Sequence, residues 1–148
     1  MSGALDLKVK LAVYRHFAET GSRPAVTDVA ARAGVGADEV RGAYVRLRDQ
    51  RVLVLEADGE SIRMAPPFSG VATQHRVRSG GVSYYANCAW DALGIPAALH
   101  QESVVQSRCE GSLEPLVLAV SAQGPEARDW LFHCPLPAVK WWNDIVFT

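Results

Sequence analysis

Cys88 and Asp91 stand three positions apart in a sequence of 148 residues, the spacing that sets two side chains on one face of a helix, a turn from each other. A thiolate is the natural ligand for a soft metal, and a carboxyl group beside it can take the thiol proton or deliver one to a leaving group. The pair therefore suits capture of a soft metal coupled to proton transfer. Taken alone, Cys-x-x-Asp says little, and a cysteine buried as a small core residue is its commoner explanation. Cys134, next to His133 in a run (130–134) that reads as a strand, is a second thiol that could share a metal with Cys88; core packing is its competing use. Cys109 reads as structural, His133 as a hydrogen-bonding residue, and His16, His75 and His100 have no partners at metal-ligand spacing, so no zinc site is indicated.

The elements that must position these residues follow from apolar periodicity. Leu7, Leu11, Tyr14 and Phe17, with Val13 and Ala18 beside them, recur at helical spacing until the Thr20-Gly-Ser-Arg-Pro24 break. Thr27 is a candidate N-cap for a short helix over 28–33 that stops at Gly34, and Val40, Tyr44 and Leu47 share one face of a helix over 37–50. Residues 51–56 and 61–65 around Asp58-Gly59 read as a β-hairpin. Three helices and a hairpin define a winged-helix-like unit over 1–65. Pro66-Pro67-Phe68-Ser69-Gly70 reads as a linker to a second unit over 66–148. There, 71–79 is extended and 84–93 is predicted helical before Gly94-Ile95-Pro96 stops it. Strands are predicted over 103–108, 114–121 and 130–134. On this reading Ser83 caps the helix and Cys88 lies beyond its first turn, where the dipole lowers a thiol pKa only weakly. The fold class is α+β.

Apolar residues make up 49% and charged residues 21%, a balance that supports a packed core and excludes disorder. The net charge of −1 gives no global reason to bind nucleic acid or an anionic membrane. Locally, Arg41, Arg46 and Arg48 in the third helix are balanced by Asp38, Glu39 and Asp49, so a helix placed to read DNA would be neutral. Nucleic acid is thus not the favoured partner, although the winged-helix-like unit leaves that use open. The longest apolar stretch, 116–122, is far short of the ~20 residues a bilayer requires, and no membrane partner is expected. The N-terminal residues lack the pattern of an export signal, and three widely spaced cysteines read as reduced thiols, so a cytoplasmic location is expected.

The segment Tyr84-Tyr-Ala-Asn-Cys88-Ala-Trp-Asp91-Ala-Leu-Gly-Ile-Pro-Ala-Ala-Leu99 resembles the active-site segment of the organomercurial (alkylmercury) lyase family, in which an aspartate stands three residues after a cysteine and a Pro-Ala step follows. Ser107-Arg-Cys109-Glu-Gly-Ser-Leu-Glu-Pro-Leu116 is similar to the stretch holding a further, structural cysteine, and a winged-helix front half also suits the family. The resemblance implies protonolysis of a carbon–mercury bond: Cys88 captures mercury and Asp91 relays a proton to the leaving carbon. The partner is then a small organomercurial or soft metal ion, and no cofactor is needed, mercury belonging to substrate and product. Cys88, Asp91 and Cys134 are the candidate metal contacts.

The family's second reactive cysteine follows a run similar to Trp141-Trp-Asn-Asp-Ile-Val-Phe-Thr148, where this sequence stops, so a C-terminally short member with weaker one-thiol capture is expected. Trp90, Trp130, Trp141 and Trp142 supply aromatic area for the core, for a pocket around an organic group, or for a homodimer contact. Three other functions remain open: a catalytically impaired or repurposed homologue that binds a soft metal or small molecule, a metal-responsive winged-helix transcription regulator, and an interaction module.

Overall fold

A computed structural model of the chain describes residues 2–147. It is an α+β protein whose elements run α1 (Ser2–Thr20), α2 (Val26–Ala33), α3 (Ala37–Asp49), β1 (Val54–Leu55), β2 (Ile62–Ala65), β3 (Phe68–Ser69), β4 (His75–Ser79), β5 (Val82–Ala86), α4 (Ala89–Leu99), β6 (Ser103–Arg108), β7 (Pro115–Ser121) and β8 (Gly124–Pro125), then a 3-10 helix (Ala138–Asn143).

The three helices form where apolar periodicity placed them, with one rotation. The stripe that α1 buries is Val9, Ala12, Val13 and Phe17, whereas Leu7 and Leu11 are 55% and 43% exposed. The reason lies one turn before Val9. Asp6 is itself buried and takes a two-pronged hydrogen bond from Arg46 of α3, at 2.7 and 2.9 Å on Oδ1. That ion pair selects which of two apolar stripes faces the core. On α3, Val40, Tyr44 and Leu47 are buried, as their spacing predicts, and Ala43 is buried with them. Thr27 is not the cap of α2: the helix begins one residue before it, with Ala25 as N-cap.

The predicted hairpin forms between β1 and β2, antiparallel. Asp58 shapes its turn by accepting the N–H groups of Glu60 and Ser61 and the Ser61 hydroxyl, which hold its carboxyl at about 2. The Pro66–Gly70 stretch is not a linker. Phe68 and Ser69 are buried and add a third antiparallel strand, β3, to the hairpin. Phe68 stacks on Phe17 at 5.4 Å and meets Tyr84 at 5.6 Å, so one ring joins α1 to β5. A predicted break became core because its one aromatic residue outweighs its prolines: burying a phenylalanine is worth roughly 1.5–3 kcal/mol. Gly21, at φ 72°, ends α1 against β5, where a Cβ would lie 1.9 Å from the Ser83 carbonyl oxygen.

The second sheet is antiparallel in the order β5-β4-β6-β7-β8. Along β4, His75, Val77 and Ser79 alternate inward with exposed Arg76 and Arg78, and α4 packs on β4, β5 and β6. The helix predicted over 84–93 is in fact the strand β5 followed by α4, which runs through Gly94-Ile95-Pro96 to Leu99. The run 130–134 is not a strand. Trp130, Leu131 and Phe132 are 44%, 94% and 47% exposed, so no covered sheet face is there to reward alternation, and Pro135 and Pro137 follow at once. Among the described residues no helix is long and apolar enough to cross a membrane.

Candidate functional site

Strand β5 ends at Ala86, which is buried and paired with His75. Two residues later the chain turns into α4. Cys88, in extended conformation (φ −145°, ψ 175°), is the N-cap, and its carbonyl accepts the Ala92 N–H at 2.9 Å. Asp91 is therefore the third residue of the helix. The pair is not two points on a helix face beyond the first turn, as the sequence pattern suggested; it occupies the N-cap and N3 positions, which in a capping box face each other across the first turn. Cys88 and Asp91 are both half-buried.

Burial pushes the Cys88 thiol up, while the N–H groups of Asp91 and Trp90, at the positive end of the helix, pull it back down; the Asp91 carboxylate raises it again. Burial also carries Asp91 to about 6, against a smaller lowering by its hydrogen bond with Cys88. The first turn thus holds an acid that changes protonation close to neutrality next to a thiol. Either group can pass the other a proton.

Sequence reasoning missed three supports of this turn. Tyr14, from α1, donates to the Pro66 carbonyl at 3.0 Å, and its hydroxyl is raised to about 12 by burial first and by the nearby Asp91 second. The neighbouring Pro67 ring lies against α4, 3.1 Å from where a Cβ on Gly94 would stand. Asn87 donates through Nδ2 to the carbonyl oxygens of Ile145 at 3.1 Å and Val146 at 3.4 Å, drawing the C-terminal residues over the start of α4. Tyr14 could not have been found from the motif, being 77 positions away by sequence number from Asp91.

The structure brings Cys88 and Asp91 together; Cys134 is exposed on the irregular stretch before the 3-10 helix, with its thiol donating to the Leu136 carbonyl at 2.8 Å. Trp141 Nε1 donates to the same oxygen at 2.8 Å. Trp141 packs edge-on to Trp90, ring centres 6.2 Å apart, and Phe132 lies on Trp90 at 5.9 Å. Of the other tryptophans, Trp130 lies beneath Arg128. Cys109 sits in the turn after β6, its thiol lowered by the Ser112 hydroxyl and by the N–H groups of Ser112 and Gly111. His75 is buried with Nδ1 2.7 Å from the Ser107 hydroxyl. On α3 all three arginines are engaged within the chain: Arg41 with Glu60 and Asp38, Arg46 with Asp6, and Arg48 with Asp49.

A half-buried thiol and a raised carboxyl at one helix N-terminus, carried on an antiparallel sheet, define a thiol–acid site of an α+β protein. Residues 68–148, more than half of the chain, match the alkylmercury lyase (MerB) family, and the chain belongs to it. Among solved structures, the mercury-bound form of MerB2 superposes with a TM-score of 0.64 at 21% sequence identity, over 81% of this chain and 59% of that one. The chain thus spans 59% of the length of that protein, and the likeness concerns the fold. No curated protein matches the chain significantly.

Proposed function

We propose that the chain cleaves carbon–mercury bonds by protonolysis, with Cys88 capturing mercury and Asp91 relaying the proton. The observation that carries this reading is the sharing of one helix turn by the Cys88 thiol and a carboxyl raised to about 6. In the first step the Cys88 sulfur bonds to the mercury of an organomercury thiolate, the thiolate leaves, and the Cys88 proton passes to Asp91. In the second, the Asp91 proton goes to the mercury-bound carbon, the carbon–mercury bond breaks, and the electron pair of that bond forms the new C–H bond. The hydrocarbon leaves; mercuric ion stays on the thiolate as product, soft metal on soft ligand. Cys134 is our candidate for a second sulfur, since it shares an acceptor with Trp141, which packs beside Trp90.

We further propose that residues 1–65 act as a winged-helix-like buttress to the lyase-like unit over 66–148. Tyr14 and the Phe17–Phe68 stack give that role a physical basis. DNA binding fits less well, because each arginine of α3 would have to leave an ion pair to meet phosphate. A reducing, cytoplasmic setting suits the three free cysteines.

The test is incubation of the reduced chain with an organomercurial and excess free thiol, following hydrocarbon release. Cys88→Ser should abolish both capture and release, whereas Asp91→Asn should capture without release. Wild-type release from either variant would sink the assignment.

A further inference from the structure

In α2 and α3 the acid at the third helical position is anchored on the N–H of the N-cap residue, Asp28 on Ala25 and Glu39 on Gly36. Asp91 is hydrogen-bonded instead to the Cys88 side chain. On the reading above, that bond does not outlast the first step, because a sulfur that has lost its proton and bonded to mercury has nothing to donate. During release the acid is therefore held by what else packs around it.

Three observations converge on what that is. Gly94 stands three positions after Asp91 on α4, so the two share a side of the helix, and the Pro67 ring lies against Gly94, 3.1 Å from where a Cβ would stand. The preceding carbonyl, that of Pro66, accepts the Tyr14 hydroxyl at 3.0 Å, and the Tyr14 ring meets Phe68 edge-on at 6.3 Å. One side chain of α1 thus grips the segment on both sides of Pro67. Tyr14 is itself half-buried, and the Asp91 carboxylate is near enough for its charge to act on the hydroxyl.

We propose that Tyr14 is a positioning residue of the lyase site: by fixing Pro66 and Pro67 against the Asp91 side of α4, it keeps the carboxyl in place once mercury has taken the sulfur. This inference rests on the protonolysis reading above and adds to it a residue of the N-terminal unit. The Tyr14 proton is committed to the Pro66 carbonyl and is not the one transferred. Its contribution therefore falls on release and not on capture.

The experiment separates the two steps. Capture is read as partition of phenylmercury between Cys88 and excess free thiol, by mass spectrometry, and release as single-turnover formation of benzene from the preformed adduct. Tyr14→Phe keeps the ring and removes the hydrogen bond to Pro66. It should capture like wild type and release about two- to tenfold more slowly, the worth of one hydrogen bond expressed as a rate. Gly94→Ala, which presses on Pro67 from the other side, should slow release in the same direction with capture unchanged. Phe17→Leu is the control, since it loosens the stack on Phe68 and leaves the Tyr14 hydrogen bond in place. It should lower the melting temperature while the folded chain releases at the wild-type rate. Wild-type release from Tyr14→Phe or Gly94→Ala, a loss of capture as large as the loss of release, or equal slowing by Phe17→Leu overturns this inference alone. Absence of capture or of release by wild type overturns the protonolysis reading and this inference with it.

Discussion

Three helices of this protein begin in the same way, with an acid at the third helical position, and the three acids have different fates. In α2, Asp28 reaches back to the Ala25 N–H at 2.9 Å; in α3, Glu39 reaches back to the Gly36 N–H at 2.8 Å. Both acids are exposed, and their use is to satisfy a backbone donor. In α4 the N-cap is Cys88, and Asp91 is half-buried among Tyr14, the thiol and the first turn. There the carboxyl loses solvent and rises to about 6, so it keeps its proton to a higher pH than a solvated acid does. One local arrangement, an acid at the third helical position, becomes a raised carboxyl beside a thiol when its surroundings remove water and the cap residue is a cysteine.

The largest expected effects separate the two members of that turn. Cys88→Ser removes the soft ligand, and mercurial capture, measured by mass spectrometry against free thiol, should fall to background. Asp91→Asn keeps the shape of the turn but supplies no acid; hydrocarbon release should drop about 10²–10⁴-fold, the range of general acid catalysis, while capture persists. An equal loss of capture in both variants would mean that Asp91 holds the metal rather than the proton.

The same comparison shows what the sequence makes legible. The spacing of Cys88 and Asp91 is enough to pair them, because a separation of three is close in either description, helix face or cap and first turn. Where α4 begins is not legible: Tyr84, Tyr85 and Ala86 suit a strand as well as a helix, and only pairing with β4 decides for the strand. Nor is its end, since Pro96 lies within the helix rather than after it. The α1–α3 pattern, the hairpin, β6 and β7 are legible because periodicity and turn residues agree there. The burial of Asp91 is not, because its neighbour Tyr14 and the Pro67 ring that lies against α4 come from far along the chain.

A raised carboxyl also has a pH signature. In a preformed Cys88–mercurial adduct the acid must be protonated to act, so single-turnover release should fall about tenfold per pH unit above about 6, the value Asp91 takes here. Stability should run the same way. The folded value lies above the usual 3.8, so between about 4 and 6 the native state binds the proton more tightly than the unfolded chain. Stability is full below that window and declines as pH rises through it, at about 1.4 kcal/mol for each pH unit crossed and by up to about 3 kcal/mol in all. Asp91→Asn escapes the decline, so urea melts should find it no more stable than wild type near pH 4 and more stable at pH 7. A constant difference between the two at all pH values would show that the carboxyl is solvated in the folded chain.

The smallest effect carries the sharpest contrast. Asp28→Ala removes the acceptor of the Ala25 N–H and leaves that donor to water, a loss of about 0.5–1 kcal/mol for an exposed cap. Glu39→Ala should cost a similar amount through the Gly36 N–H. At pH 7, then, removing the charge at the third position should destabilise α2 and α3 but stabilise the protein at α4, with melting at one pH as the readout. Opposite signs would mark Asp91 as an acid kept at the expense of stability, which is what a proton donor in a desolvated site requires. The same sign at all three helices would reduce Asp91 to a third cap.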